Sequence, residues 1–388
     1  MIVRSVSGFR KILRRLEEAG LLLRIKEPKS TEYDIARELK KVDGEKAVLI
    51  ERPVLPDGRE SEIKVAGGIA NRVDSLLLLL GLESRRELRE LLRRASREGI
   101  PPERADEASV KEVEWAPHKL RDLPILKHYS GEPGPFITAG IVIARDEEVG
   151  GYCISYHRMM PVGPDRLVLR AVEGRWLHRL ICRAEERGEE LPVSVSIGSN
   201  IGLIIAGATP AEGRDKLSMA GAIMGSPVPI VECETVEAVM PADSEIVLEG
   251  TIIPWEKEKE GPFYEILGRD GVREQPVLRV TRIWMRKEAI YQAILPAGKE
   301  HEILMGLPVE SVIEEAVSRV AEVKDVCMTP AGRMWIEAAV SIKKRAEGQP
   351  VLVGMAAISA HKSLKRVIVV DEDVDCLLYT SPSPRDRG

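Results

Sequence analysis

Phe136-Ile-Thr-Ala-Gly-Ile-Val-Ile-Ala144 opens a series of short apolar segments rich in Val and Ile. Leu167 to Ala171, Val193 to Ile197, Ile201 to Ala206, Pro227 to Val231 and Glu245 to Ile253 continue it, with Gly and Pro between them. Branched side chains are stiff at χ1 and suit extended backbone, and Gly and Pro end such runs, so this spacing predicts short strands closing into a barrel or sandwich. Two stretches with helical period interrupt the series, Leu177 to Arg187 and Leu217 to Met224.

The flanks have a different texture. On the N-terminal side Ser7 precedes Phe9 to Gly20, where apolar residues fall at helical spacing and Gly20 is a natural stop. Leu21 to Ile25 then reads as a strand, Glu32 to Lys41 as a helix, Ala47 to Ile50 as a strand and Ser75 to Glu98 as one long helix. This alternation predicts an α/β domain over residues 1–104, ahead of the β-rich domain over 105–300. Beyond it, a helix over Val312 to Ala321, a strand over Trp335 to Ile342, a helix over Ala356 to His361 and a strand over Val367 to Val370 predict a third, α/β domain over 301–376 that stops before it is complete. The last residues, 377–388, have no periodicity and are rich in Ser, Pro and Arg, and are expected to be disordered or foreign to the gene.

Composition narrows the function classes. At 388 residues, with 44% hydrophobic and 31% charged side chains, the chain has the make-up of a multidomain globular protein. A net charge of -5 argues against a nucleic-acid partner, which usually leaves a basic excess. The basic stretch Arg85 to Arg97 alternates with Glu and reads as a solvated helix face. The apolar run Leu76 to Leu80 is far short of the roughly 20 residues that span a bilayer, and no export signal is evident, so a cytoplasmic protein with no membrane partner is expected. Five widely spaced cysteines include no C-x-x-C pair and suggest reduced thiols.

Two segments could carry chemistry. In Glu260-Gly-Pro-Phe-Tyr-Glu265 two carboxylates flank a non-helical Gly-Pro turn, so they either converge on a cavity where one donates a proton or form a charged surface loop. In Ile154-Ser-Tyr-His-Arg158 an extended backbone puts Ser155 and His157 on one face and Arg158 on the other, where Arg158 either binds a carboxylate or lies exposed. Gly67-Gly68 lacks the Lys and the strand-to-helix setting of a phosphate loop. The six histidines are scattered, show no ligand-pair spacing, and read as structural.

These segments occur in an order that resembles the UbiD family of decarboxylases: Phe136 to Ala144, Ser155-Tyr-His-Arg158, Ala184-Glu-Glu-Arg-Gly-Glu189, Cys233-Glu-Thr235, Pro241 to Gly250, Glu260-Gly-Pro-Phe263 and Val340-Ser-Ile-Lys-Lys-Arg345. The resemblance spans about residues 5 to 375. It implies an N-terminal α/β domain, a central split β-barrel of the flavin-reductase type and a C-terminal α/β domain that makes a homo-oligomer. It also implies prenylated FMN, supplied by a flavin prenyltransferase, as the cofactor to which an α,β-unsaturated acid adds covalently before CO2 leaves. Carried over residue by residue, Arg158 orients the substrate carboxylate and pairs with Glu260, and Glu265 donates the proton. Ser155, His157, Arg158, Lys216 and Arg175 fall where the cofactor binds. Glu300 to Pro308, Thr329-Pro-Ala-Gly332, Trp335 and Ala360 to Lys365 look like the archaeal branch that converts trans-anhydromevalonate 5-phosphate to isopentenyl phosphate in isoprenoid synthesis.

One part of the pattern is missing. The family holds the flavin phosphate through Mn2+ bound by Asn, His and Glu, and the corresponding positions here carry Cys153, Trp176 and Lys216. Either Lys216 meets the phosphate directly, helped by Arg175, or it is a solvated helix-start residue, or His178 has become the ligand. The same loss suits a second reading, a non-catalytic UbiD-like subunit of a multicomponent carboxylase, which the retained Arg158, Glu260 and Glu265 oppose. An ordinary flavin reductase would need a nicotinamide site, and no dinucleotide fingerprint is present.

Overall fold

The apolar spacing near the N-terminus does form a helix. In the computed structural model, which describes residues 8–376, Phe9–Glu18 buries Phe9, Ile12, Leu13 and Leu16 along one stripe, as an i, i+3, i+4, i+7 pattern requires. The expectations for Ser7 and for 377–388 lie outside the described residues. The chain divides into two compact units, residues 1–83 with 95–301, and residues 84–94 with 302–388.

In the first unit Leu22–Ile25, Ala47–Ile50 and Lys64–Gly67 join Ile290–Ala293, from much later in the chain, in a four-stranded sheet. The Gly67-Gly68 segment does sit between a strand and the helix Val73–Leu80, contrary to the expectation. Its backbone donors are nonetheless taken, because the buried Glu300 carboxylate accepts from Gly68 N–H at 2.8 Å and Ala70 N–H at 3.1 Å. Burial pushes the Glu300 carboxyl up to about 7 in spite of these donors. A carboxyl with a folded-state pKa above its unfolded value favours the fold while protonated, and that contribution is lost as pH rises from about 4.5 through about 7. Glu300→Gln removes the titration, so wild type is expected to lose up to about 3 kcal/mol relative to the variant across that window, read by urea unfolding at several pH values.

The central sheet follows the order Met159–Pro161, Arg166–Leu169, Arg273–Met285, Ile246–Glu260, Leu191–Ile197, Ile141–Asp146, Gly151–Tyr156. Every pairing along it is antiparallel. Its two end strands are consecutive in the chain, separated only by His157 and Arg158, yet no ladder joins them, so the sheet is not closed into a barrel. Their proximity in sequence puts His157 and Arg158 where the two ends of the sheet meet.

Several elements differ from expectation; the helix expected over Val312 to Ala321 runs Lys299–Val317, and the one over Ala356 to His361 runs Gln349–Ala360. Ile201 to Ala206 is not a strand but the start of the helix Ile201–Ala208, capped by Asn200, whose side chain accepts from Leu203 N–H at 3.0 Å. A wholly buried apolar run has no periodicity to separate helix from strand, and the Asn cap was the overlooked signal. The long helix over Ser75 to Glu98 is broken into Val73–Leu80 and Arg85–Arg97. Gly81 ends the first at φ +64, a left-handed cap that other residues adopt at a cost, and Ser84 Oγ accepts from Glu87 N–H at the start of the second. The strand at Phe136 to Ala144 is confined to Ile141–Asp146, with Phe136 and Ile137 in isolated bridges.

The second unit carries a three-stranded sheet of Glu322–Met328, Glu337–Lys343 and Arg366–Asp371, with the helix Gln349–Ala360. The expected solvated face of Arg85 to Arg97 is wrong at Arg89, which is buried with 3% side-chain exposure and bonds Glu314 at 2.9 Å and Asp325 at 2.5 Å. A buried guanidinium is tolerated only when its donors are met in this way. His361 Nε2 lies 3.1 Å from the Trp335 carbonyl.

Candidate active site

Glu260 and Glu265, five residues apart, reach one guanidinium because the chain folds back on itself after the long strand. Ile246–Glu260 ends with its last side chain fully buried. Gly261 turns the backbone at φ +89, a conformation that penalises any Cβ, and the Gly261-Pro262 peptide is cis. The hairpin Phe263–Glu265 with Gly268–Asp270 follows, with Phe263 opposite Asp270. Phe263 anchors it, packing on Phe136 with ring centroids 4.8 Å apart and under the Arg158 guanidinium at 4.6 Å. Tyr264 meets Tyr129 at 4.8 Å. The hairpin thereby brings Glu265 and Asp270 to the Arg158 that the open end of the sheet presents.

Arg158 is the hub. Its Nε and Nη2 donate to both oxygens of Glu260, at 2.7 and 2.9 Å, a bidentate pair. Nη2 also donates to Asp270 Oδ2 at 2.8 Å and Nη1 to Glu265 Oε1. Burial opposes the Arg158 charge, but the bonds to Glu260 and Asp270 outweigh it and hold the guanidinium pKa above its ordinary value. For Asp270 burial likewise acts upward, and the Arg158 bond overrides it, leaving the carboxyl below its usual range. Glu265 differs from its neighbours in being one-third exposed, against none for Glu260. Its second oxygen lies 3.6 Å from His301 Nε2. His301 Nδ1 accepts from Ala297 N–H at 3.1 Å, so in neutral His301 the ring proton sits on Nε2 and faces Glu265. The arrangement offers a fixed cation, a carboxylate committed to it, and a carboxyl group with an open face that can pass a proton.

Just before Arg158 in the chain, Ser155 Oγ lies 2.8 Å from His157 Nε2, and His157 Nδ1 lies 2.8 Å from the Arg170 carbonyl. A carbonyl only accepts, so Nδ1 carries the proton and Nε2 accepts from Ser155. Burial pushes the His157 pKa down to about 4, which keeps it neutral at pH 7. Lys216 begins the helix Lys216–Met224, whose cap residue Asp215 also accepts from Tyr152 N–H at 3.0 Å and so fixes the helix start against the strand. The Lys216 side chain is buried rather than solvated, and its ammonium donates to the Gly207 carbonyl at 3.2 Å.

The sequence matches three consecutive domains of the 3-octaprenyl-4-hydroxybenzoate carboxy-lyase: the N-terminal domain over residues 13–95, the Rift-related domain over 103–299 and the C-terminal domain over 302–379. The chain belongs to the UbiD family. It is therefore a UbiD-type carboxy-lyase. Anhydromevalonate phosphate decarboxylase of Methanothermobacter thermautotrophicus is 39% identical, over 85% of this chain and 79% of that protein. The protein of the same name from Methanosarcina mazei is 38% identical, over 95% of this chain and 84% of its own length. Among solved structures, an evolved dimeric form of the UbiD-class enzyme HmfF from Pelotomaculum thermopropionicum, in complex with prFMN, superposes with a TM-score of 0.91 at 32% identity, covering 98% of this chain and 88% of that one. No helix among the described residues is long and apolar enough to cross a membrane.

Of the UbiD positions named from sequence, the structure brings Arg158, Glu260 and Glu265 into one cluster and joins Ser155 to His157, while Lys216 bonds to neither and stands within electrostatic range of the His157 ring. Arg175 is exposed at the cap of Trp176–Arg187, with no contact joining it to Lys216. The three metal-ligand positions do not fit a divalent ion. Burial pushes the Cys153 thiol up to about 11, leaving it protonated, Trp176 has no lone pair to give and its Nε1 donates to Asp146 at 2.6 Å, and Lys216 is a cation. His178 instead lies beside Cys182 at 3.6 Å and Gly174 N–H at 3.5 Å. No group of three His, Cys, Asp or Glu that could hold a metal occurs among the described residues. Sequence reasoning missed Asp270 and took His301 for structural. Asp270 ends the short strand Gly268–Asp270, whose hairpin register alone reveals its partner, and His301 faces Glu265 from a helix that starts 34 residues later.

Proposed function

We propose that this UbiD carboxy-lyase releases CO2 from a small α,β-unsaturated acid, trans-anhydromevalonate 5-phosphate, and yields isopentenyl phosphate for isoprenoid synthesis. The observation that carries the reading is the single guanidinium shared by Glu260, Glu265 and Asp270, together with the archaeal anhydromevalonate phosphate decarboxylases at 37–39% identity. Prenylated FMN, when bound, supplies the electron sink that lets the bond to the carboxylate break. Lys216, Ser155 and His157 would hold its phosphate end, since a buried cation beside hydroxyl and imidazole suits an anion.

Within this reading Arg158 holds the substrate carboxylate close to the cofactor, and its bidentate bond to Glu260 fixes the plane of the guanidinium. As CO2 leaves, the electron pair left on carbon must gain a proton. Glu265 delivers it from the carboxyl face not engaged by Arg158, and His301 Nε2–H steadies the carboxylate that remains. Asp270 offsets the Arg158 charge when the substrate is absent. The open central sheet would serve as the split barrel of a flavin-binding domain over 105–300, between α/β domains over 1–104 and 301–376. A cytoplasmic homo-oligomer supplied by a flavin prenyltransferase completes the proposal.

Co-expression with such a prenyltransferase tests the cofactor half. Purified protein is expected to retain a flavin whose mass exceeds that of FMN by the added prenyl group. A chain that retains no flavin of any kind would favour the non-catalytic subunit.

A further inference from the structure

Lys216 is a buried charge that no ion pair meets among the described residues. Its three N–H donors meet one acceptor among the described residues, the Gly207 carbonyl at 3.2 Å, and no carboxylate forms an ion pair with it. Buried ammonium groups are ordinarily paired. Gly207 lies in the last turn of Ile201–Ala208, where the carbonyl end of the helix offers part of a negative charge and no more. The Cys153 thiol, the neutral His157 ring and the Glu212 carboxylate stand within electrostatic range of the ammonium, and none of them bonds to it. The set has a cation and neutral polar groups, and no anion bonded to the ammonium. Burial lowers the Lys216 pKa to about 8, as a missing partner would. Trp176, at the position where a UbiD protein has its metal-binding histidine, is committed to Asp146, which Arg183 also holds at 2.9 Å.

We propose that Lys216 binds a phosphate monoester directly, the phosphate of the flavin, and that this contact replaces the bridging divalent metal. The inference rests on the flavin-dependent reading above. A lysine ammonium as a point charge can meet a phosphate oxygen with the two donors Gly207 leaves over, while the same charge repels a metal ion from the site. The substrate carries a phosphate of the same chemistry, so the test must separate the two sources.

Binding of FMN and of riboflavin to the purified full chain, followed by flavin fluorescence with and without EDTA, makes the separation. Wild type is expected to prefer FMN, and EDTA is expected to leave the preference intact. Lys216→Met should reduce the preference by about 10- to 100-fold, with riboflavin binding unchanged, and Lys216→Arg should restore most of it. The unchanged riboflavin affinity shows that Lys216→Met has folded. Three results overturn the inference while the flavin reading stands: a preference that EDTA abolishes and Mn2+ restores, a preference that survives Lys216→Met, or a variant that loses affinity for isopentenyl phosphate and not for FMN. Wild type that binds neither flavin would overturn the reading itself.

Discussion

Glu265→Gln is expected to lower turnover by about 10²- to 10⁴-fold while the protein still retains its flavin and unfolds at the wild-type urea concentration. The amide keeps the size and one acceptor oxygen of the carboxylate, so the bond from Arg158 Nη1 survives, but it has no proton to give at neutral pH. Glu265 is one-third exposed, so no buried charge is stranded by the change. The loss should fall on the chemical step, with the substrate's KM little altered, because Glu265 acts after the carboxylate is held. Rapid mixing with substrate would show it directly: CO2 release or its reversal persists and protonated product does not form. Full activity in the variant would remove Glu265 from the mechanism and direct attention to His301, the neighbouring group that also carries a proton.

Arg158→Ala is expected to abolish activity and also to cost about 3–5 kcal/mol of stability. Both follow from the same geometry. The guanidinium has 7% side-chain exposure and Glu260 has none, so removing the first leaves the second as an uncompensated buried charge. The double variant Arg158→Ala with Glu260→Gln should regain most of the stability, since a neutral amide tolerates that site better, and none of the activity. Urea unfolding of wild type, Arg158→Ala, Glu260→Gln and the double variant gives the coupling energy between the two side chains. Equal stability in the single and double variants would show that Glu260 finds other partners and that the pair is not what holds the hairpin in place.

Much of this arrangement was legible in the chain, and the parts that were not have identifiable causes. The stripe Phe9, Ile12, Leu13 and Leu16 has one periodicity and one reading, and the helix follows it. Ile201 to Ala206 has no polar face at all, so its helix depends on the Asn200 cap and on burial from every side. Arg85 to Arg97 was read as solvated because charge usually marks the surface, and Arg89 departs from that rule only because Glu314 and Asp325 arrive from more than 200 residues away.

The site divides in the same way. Glu260 and Glu265 lie in one turn, so their convergence was a local question. Arg158 joins them across 102 positions, and nothing in spacing or composition connects the two segments; the family resemblance supplied that link. Asp270 escaped because its approach to Arg158 depends on the register of a three-residue hairpin. His301 escaped because a lone histidine at the start of a helix carries no pairing signal. Lys216 was visible as a substitution, while its burial and its lack of a carboxylate partner became evident only with the fold.

The central claim is tested most directly by supplying trans-anhydromevalonate 5-phosphate to the flavin-loaded protein and measuring CO2 and isopentenyl phosphate together. The account predicts equal amounts of both, about 10²- to 10⁴-fold slower product formation from the Glu265→Gln protein, and none from the Arg158→Ala protein. A flavin-loaded wild type that releases no CO2 from this acid, yet does so from an unphosphorylated aromatic one, would contradict the assignment.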